Sequence, residues 1–206
     1  MIYVCADPHF GHKNIIKYCK RPWADVEAMD RDLMNNINSR VQFNDILWII
    51  GDFTFKGPVP LRNLRARIHC QTVHLILGNH DSRPVPDGVF SSVSWYQEFS
   101  DNGVRFTLCH YPFRTWNKAH HNSKDKITSV DLYGHVHNTM PPLPYTAALD
   151  VGFDAQNYIP ITLAESVDQV KKQYTPQYEA WYKNRVAEIE REREQQRIER
   201  ENKGQQ

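Results

Sequence analysis

The sequence predicts an α/β fold, and three features carry that reading. Apolar runs of strand length occur at Ile2-Tyr3-Val4-Cys5-Ala6, Ile46-Leu47-Trp48-Ile49-Ile50 and Val73-His74-Leu75-Ile76-Leu77. Stretches with helical spacing lie between them. Each run ends abruptly in polar residues, in turn Asp7-Pro8-His9, Gly51-Asp52 and Gly78-Asn79-His80-Asp81. In open α/β sheets ligands bind beyond the carboxyl ends of the strands, so these tips are where a site is expected. Carboxylate, imidazole and amide delivered at three tips point to a metal-centred hydrolase.

After the first strand, Asn14 to Cys19 is a short helical candidate, stopped near Arg21-Pro22. Asp25 is placed to cap a helix running to about Arg40, with Val26, Met29, Leu33 and Ile37 three to four residues apart. Phe53 to Pro60 reads as loop, and Leu61 to Ile68 as a helix with Leu61, Leu64 and Ile68 on one side. Arg83 to Gly88 is a proline-punctuated loop. Beyond it, Val93–Phe99 and Val104–Cys109 flank Asp101-Asn102-Gly103, a hairpin signal, and the second of these strands ends at His110-Tyr111-Pro112. Trp116 to Lys126 is polar and reads as a surface loop. Val130 to Tyr133 is a short strand ending at Gly134-His135-Val136-His137, and Thr139 to Pro144 is loop. Ala147–Val151 and Ile159–Leu163 read as closing strands.

From Ala164 the composition shifts, dividing the chain into residues 1–163 and a helical extension, 164–206. Glu165 to Tyr174 can be helical and Pro176 restarts the helix. Glu179 to Lys203 carries seven basic and seven acidic side chains, so it has no net charge. Pairs three residues apart, such as Glu188/Arg191 and Glu194/Arg197, support an exposed helix rather than a nucleic-acid arm. A homo-oligomer would form through Trp181, Tyr182, Val186 and Ile189 of this helix.

At 206 residues the length suits one domain with an appendage, and 12% aromatic residues supply a sizeable core. A net charge of +1 gives no global field to attract nucleic acid. Cys5, Cys19, Cys70 and Cys109 are dispersed, as for free thiols in a reducing compartment. There is no basic-then-apolar leader and no run of membrane-spanning length, so a soluble, cytoplasmic protein without a membrane partner is expected.

Taken in order, the strand tips offer Asp7, His9, Asp52, Asn79, His80, His110, His135 and His137. These donors suit manganese, iron(II), nickel or zinc, and the absence of cysteine among them argues against a structural zinc site. They exceed the needs of one ion, whereas two ions sharing a carboxylate use that number comfortably. Asp7-x-His9, Gly51-Asp52, Gly78-Asn79-His80-Asp81, His110 and Gly134-His135-Val136-His137 resemble, in order, the signature of the calcineurin-like metallophosphoesterases, over about residues 1–163. The flanking Phe10-Gly11-His12-Lys13-Asn14-Ile15-Ile16, His110-Tyr111-Pro112 and Asn157-Tyr158-x-Pro160 look like a small prokaryotic or phage branch.

The resemblance implies two mixed β-sheets packed as a sandwich flanked by helices, to which the charged C-terminal helix is added. It implies that Asp7, His9 and His137 hold one divalent ion, that Asn79, His110 and His135 hold a second, and that Asp52 bridges them. Manganese is the first choice, with iron(II), nickel and zinc as alternatives. His80 would face the substrate and assist the leaving oxygen, with Asp81 orienting its imidazole through a hydrogen bond. His12, Lys13, Arg83 and Arg114 are candidate phosphate contacts. Asp150 is a candidate partner for a ligand histidine. His120 and His121 read as surface, His69 and His74 as structural, and Trp23, Tyr111, Phe113 and Trp116 as packing residues.

The chemistry expected is that of a two-metal phosphoester hydrolase, a phosphodiesterase or phosphatase. Cations ~3.5–4 Å apart clamp phosphate oxygens and acidify a bridging water, whose hydroxide attacks phosphorus. A small phosphodiester or a nucleotide phosphomonoester is the expected substrate. A nuclease acting on single-stranded nucleic acid is the alternative, disfavoured by the neutral charge. A non-catalytic scaffold is disfavoured because His80 and every ligand position are intact. Phe53-Thr54-Phe55-Lys56-Gly57 stands where protein phosphatases of the family carry an arginine-rich extension, which weakens that reading.

Overall fold

The computed structural model describes residues 1–54, 61–81, 84–123, 126–141, 146–173 and 176–203. Among them, β1 (Ile2–Cys5), β2 (Ile46–Ile50), β3 (Thr72–Ile76), β4 (Ser92–Ser94) and β9 (Ile161–Thr162) form one sheet in the order β4-β3-β2-β1-β9. Its strands are parallel except β9. A second sheet, β5-β6-β7-β8, is built from Tyr96–Asp101, Val104–Cys109, Ser129–Tyr133 and Ala148–Asp150. It opens with an antiparallel hairpin and continues in parallel.

Side chains alternate across a strand, and here both faces of the first sheet are covered. One face, with Val4, Trp48, Ile50 and Ile76, packs with Phe106, Leu108, Val130 and Leu132 of the second sheet. The other, with Tyr3, Cys5, Leu47, Ile49, Val73 and Leu75, packs under α2 (Val26–Arg40) and α3 (Leu61–Ala66) through Met29, Leu33, Ile37 and Leu64. Burial on both sides is why these strands read as unbroken apolar runs. The Asp25 carboxylate caps α2 by accepting from Ala28 N at 2.7 Å, as its position suggested. α1 (Lys13–Tyr18) is a short helix between the first strand and this cap.

The run Val93–Phe99 is not one strand. It breaks at Trp95, so that β4 pairs with β3 in the first sheet and β5 pairs with β6 in the second. An apolar pattern reports burial, not which neighbour a strand joins, and here the chain crosses between sheets. The hairpin at Asp101-Asn102-Gly103 forms as expected, with Asn102 and Gly103 at φ +47° and +79°. The polar stretch from Trp116 is more than a surface loop. Trp116 and Asn122 are buried; Trp116 Nε1 donates to Ser129 Oγ, and the Asn122 side chain meets Thr128 N, Ser129 N and Ser129 O.

α4 (Leu163–Gln173) buries Leu163, Ser166 and Val170 against the sheet layer, and α5 (Pro176–Lys203) follows it. No described helix is long and apolar enough to cross a membrane. Arg83, residues 55–60 and 142–145, and Tyr174 lie outside the described residues, as do the side chains of Trp181, Tyr182 and Val186.

Candidate metal centre

The parallel strands β1, β2 and β3 bring Asp7, His9, Asp52 and the Asn79–Asp81 turn to one end of the first sheet, while β6 and β7 bring His110, His135 and His137 from the second. Immediately beyond the strands the backbone bends sharply. Asp7, His9, Asp52, His135 and His137 have φ of +56°, +53°, +53°, +70° and +48°. Left-handed backbone costs a residue with a Cβ about 1–2 kcal/mol, and such strain collects at functional sites. Asp7 N and His9 N donate to Gly51 O and Asp52 O at 3.1 and 3.0 Å, stitching the first two tips together. His135 N donates to Asp7 Oδ2 at 2.8 Å, and His80 N to Asp52 Oδ1 at 2.9 Å.

Two donor groups result. Asp7, His9 and His137 place ligand atoms within 4.8 Å of one another, and Asp52, His110 and His135 do the same. Asp52 Oδ2 joins the groups, standing 3.4 Å from His9 Nε2 and 3.4 Å from His110 Nε2. Asn79 Oδ1 lies 3.1 Å from His110 Nε2. His110 turns Nδ1 to Ile50 O at 3.1 Å and His137 turns Nδ1 to Asp154 Oδ2 at 2.7 Å, so each ring has one nitrogen held outside the donor atoms it shares with Asp52 or Asp7.

Asp7 Oδ1 and His9 Nε2 are buried without a hydrogen-bond partner among the described residues. An unpaired buried polar group costs about 1–3 kcal/mol, so two at one point call for a ligand. Oxygen and imidazole donors in this number fit divalent cations of the manganese-to-zinc series.

The electrostatics agree. Burial, followed by the nearby Asp52 and Asp150 charges, lifts Asp7 to about 7 against the opposing pull of His137 and His110. Burial lowers His9 to about 2. For Asp52 burial is opposed and outweighed by its hydrogen bond and charge pairing with His110, giving about 2. Burial also opposes charge on His137, but its hydrogen bonds to Asp154 and Cys19 and the field of Asp7 raise it to about 10. Carboxylates and imidazoles thus compete for protons in a space that a cation would neutralise.

All seven expected ligands therefore converge, and His80 and His12 join them. The His80 ring centroid is 5.2 Å from that of His9 and 5.9 Å from that of His12, while His12 Nδ1 lies 3.4 Å from His9 Nδ1. Lys13 and Arg114 are exposed, with no hydrogen bond or ion pair to the donor groups among the described residues, and Arg83 lies outside them. The role expected for Asp81 is corrected. Its carboxylate accepts from Asp52 N, Phe53 N and Gly78 N at 2.9, 2.8 and 2.8 Å, so it holds the loops that carry Asp52 and Asn79 rather than the His80 ring. Asp150 likewise accepts from backbone, Asn138 N and Gly152 N, and the carboxylate that meets His137 is Asp154.

Arg21, Asp154, Cys19 and Tyr111 belong to the site and were not legible as such. Tyr111 is exposed, its ring centroid 4.6 Å from that of His135 and its hydroxyl 3.5 Å from Asn79 Oδ1. Its place directly after His110 was the available signal.

The family model described as calcineurin-like phosphoesterase matches residues 1–198. An uncharacterized protein of Methanocaldococcus jannaschii is 30% identical over 178 residues, covering 83% of this chain and 92% of that protein. A protein of unknown function from Aquifex aeolicus has the same fold, with a TM-score of 0.64 and 22% identity over 82% of this chain and 98% of its own. Pseudomonas putida nuclease MPE aligns at a TM-score of 0.42 and 22% identity over 66% of this chain and 61% of its own.

Proposed function

This chain belongs to the calcineurin-like phosphoesterase family, and from that premise we propose that it is a two-metal hydrolase of small phosphodiesters or nucleotide phosphomonoesters. The observation that carries the proposal is the position of Asp52 Oδ2, 3.4 Å from a histidine nitrogen of each donor group. Asp7, His9 and His137 would hold one divalent ion and Asn79, His110 and His135 the other, with manganese the first choice. What bound ions supply is positive charge for the phosphate oxygens and acidification of a water near neutral pH.

The chain supplies the rest. His80, its backbone fixed by Asp52 Oδ1, offers an imidazole beside the donor groups to protonate the departing alkoxide. Asn79 contributes an amide oxygen, which adds no negative charge to repel phosphate. His12 lines the same space and can donate to a phosphate oxygen. The net charge of +1 lacks the basic field that long polynucleotides require, which favours small esters over a nuclease role.

The test is Mn2+-reconstituted protein assayed on bis-p-nitrophenyl phosphate, p-nitrophenyl phosphate, cyclic nucleotides, nucleoside monophosphates and single-stranded DNA. Turnover of small esters is expected; cleavage of DNA alone would replace the proposal with the nuclease reading. Asp52→Asn is expected to abolish turnover and weaken metal uptake. His80→Ala is expected to keep its metal while losing about 10²–10⁴-fold in rate on esters with alkyl leaving groups. Full activity of His80→Ala on such esters would remove the proton-donor role.

A further inference from the structure

Arg21 is a buried cation outside the ligand set, its side chain 0% exposed. Its guanidinium donates to Asp7 O from Nη2 at 2.8 Å and to Pro8 O from Nη1 at 3.0 Å. It also grips both oxygens of Asp154, Nε to Oδ1 at 2.9 Å and Nη2 to Oδ2 at 2.7 Å. Asp154 Oδ2 in turn meets His137 Nδ1 at 2.7 Å. One planar fork therefore touches both chain segments that furnish the first donor group, the Asp7–His9 turn after β1 and, through Asp154, His137 after β7.

A buried arginine is costly unless its charge and donors are satisfied, and here carboxylate and carbonyls satisfy them together. The carbonyls it fixes lie between two residues in left-handed conformation, Asp7 and His9. The carboxylate it fixes sets which nitrogen of His137 faces the donor group. Cys19, His137 and Asp154 also gather within 4.8 Å of one another. The guanidinium already occupies both Asp154 oxygens and would repel a cation there, so this third group serves as a hydrogen-bonded brace.

We propose that Arg21 and Asp154 are positioning residues that pre-form the Asp7–His9–His137 half of the centre and act less on the other half, which neither side chain contacts. The inference rests on the two-metal reading above.

Mn2+ titrated calorimetrically into metal-free wild type, Arg21→Lys and Asp154→Asn tests it, with urea unfolding of each metal-free protein alongside. Arg21→Lys keeps the charge and loses the fork; Asp154→Asn keeps the shape and loses the charge. Wild type is expected to show two sites. Each variant is expected to lose about 10–100-fold in affinity at one site, the usual cost of removing a partner behind a ligand, with the other site weakened distinctly less. The 15N resonances of His137 should report a changed ring environment in Asp154→Asn. Two wild-type affinities in both variants, or equal weakening of both sites, would overturn the inference while leaving the two-metal reading standing. A wild type that takes up no Mn2+ would overturn both.

Discussion

The Cβ that an alanine would place at residue 78 lies 2.1 Å from Asp52 Oδ1 and 2.5 Å from Asp52 N. Glycine is needed there for space, because the turn carrying Asn79 closes directly onto the Asp52 carboxylate. Gly78→Ala is therefore expected to displace Asp52 and weaken Mn2+ binding, read by calorimetry; unchanged affinity would mean the turn can retreat without cost. Asp131 makes a separate prediction, away from the candidate metal centre. Its Oδ2 accepts from Phe113 N at 3.1 Å, its Oδ1 has no hydrogen-bond partner among the described residues, and burial raises it to about 7. In the unfolded chain the same carboxyl titrates near ~3.9. Between those values the unfolded chain gives up its proton first, so this group's contribution to stability falls as pH rises through the window. Asp131→Asn should gain stability over wild type at pH 7.5 relative to pH 5 in urea unfolding, and an equal difference at both pH values would refute that burial cost.

Among the elements, β1, β2 and β3 were legible because both faces are buried and the apolar run is uninterrupted. The candidate ligands after them were legible as a set for a related reason: each is a polar residue at an abrupt strand end. Trp95 was not, because a crossing between sheets leaves the apolar pattern of residues 93–99 intact. Arg21 and Asp154 were hidden too, since their meaning lies in a pairing across 133 positions of sequence. The C-terminal helices differ in what they contribute. α4 buries Leu163 and Val170, whereas beyond residue 186 the described side chains of α5 are exposed except Ile189, which is half-buried. Deleting residues 187–206 should change unfolding free energy by less than about 1 kcal/mol. Deleting everything after Thr162 removes two core side chains, each contributing about 1.5–3 kcal/mol, and should destabilise far more. Equal urea midpoints for the two truncations would contradict this division.

Across the molecule, the centre lies where the two sheets end side by side. The first sheet supplies Asp7, His9, Asp52 and Asn79, and the second supplies His110, His135 and His137. The layer of Val4, Ile50, Ile76, Leu108 and Leu132 between the sheets fixes their relation, so the site forms only when the sandwich does. The resemblance in the sequence announced this sandwich, while pattern alone announced only strands and tips. Anomalous diffraction at the manganese edge from Mn2+-soaked crystals measures the consequence directly. Two peaks should flank the Asp52 carboxylate, one among Asp7, His9 and His137 and the other among Asn79, His110 and His135. No peak, or a single one remote from Asp52, would contradict the shared-carboxylate centre.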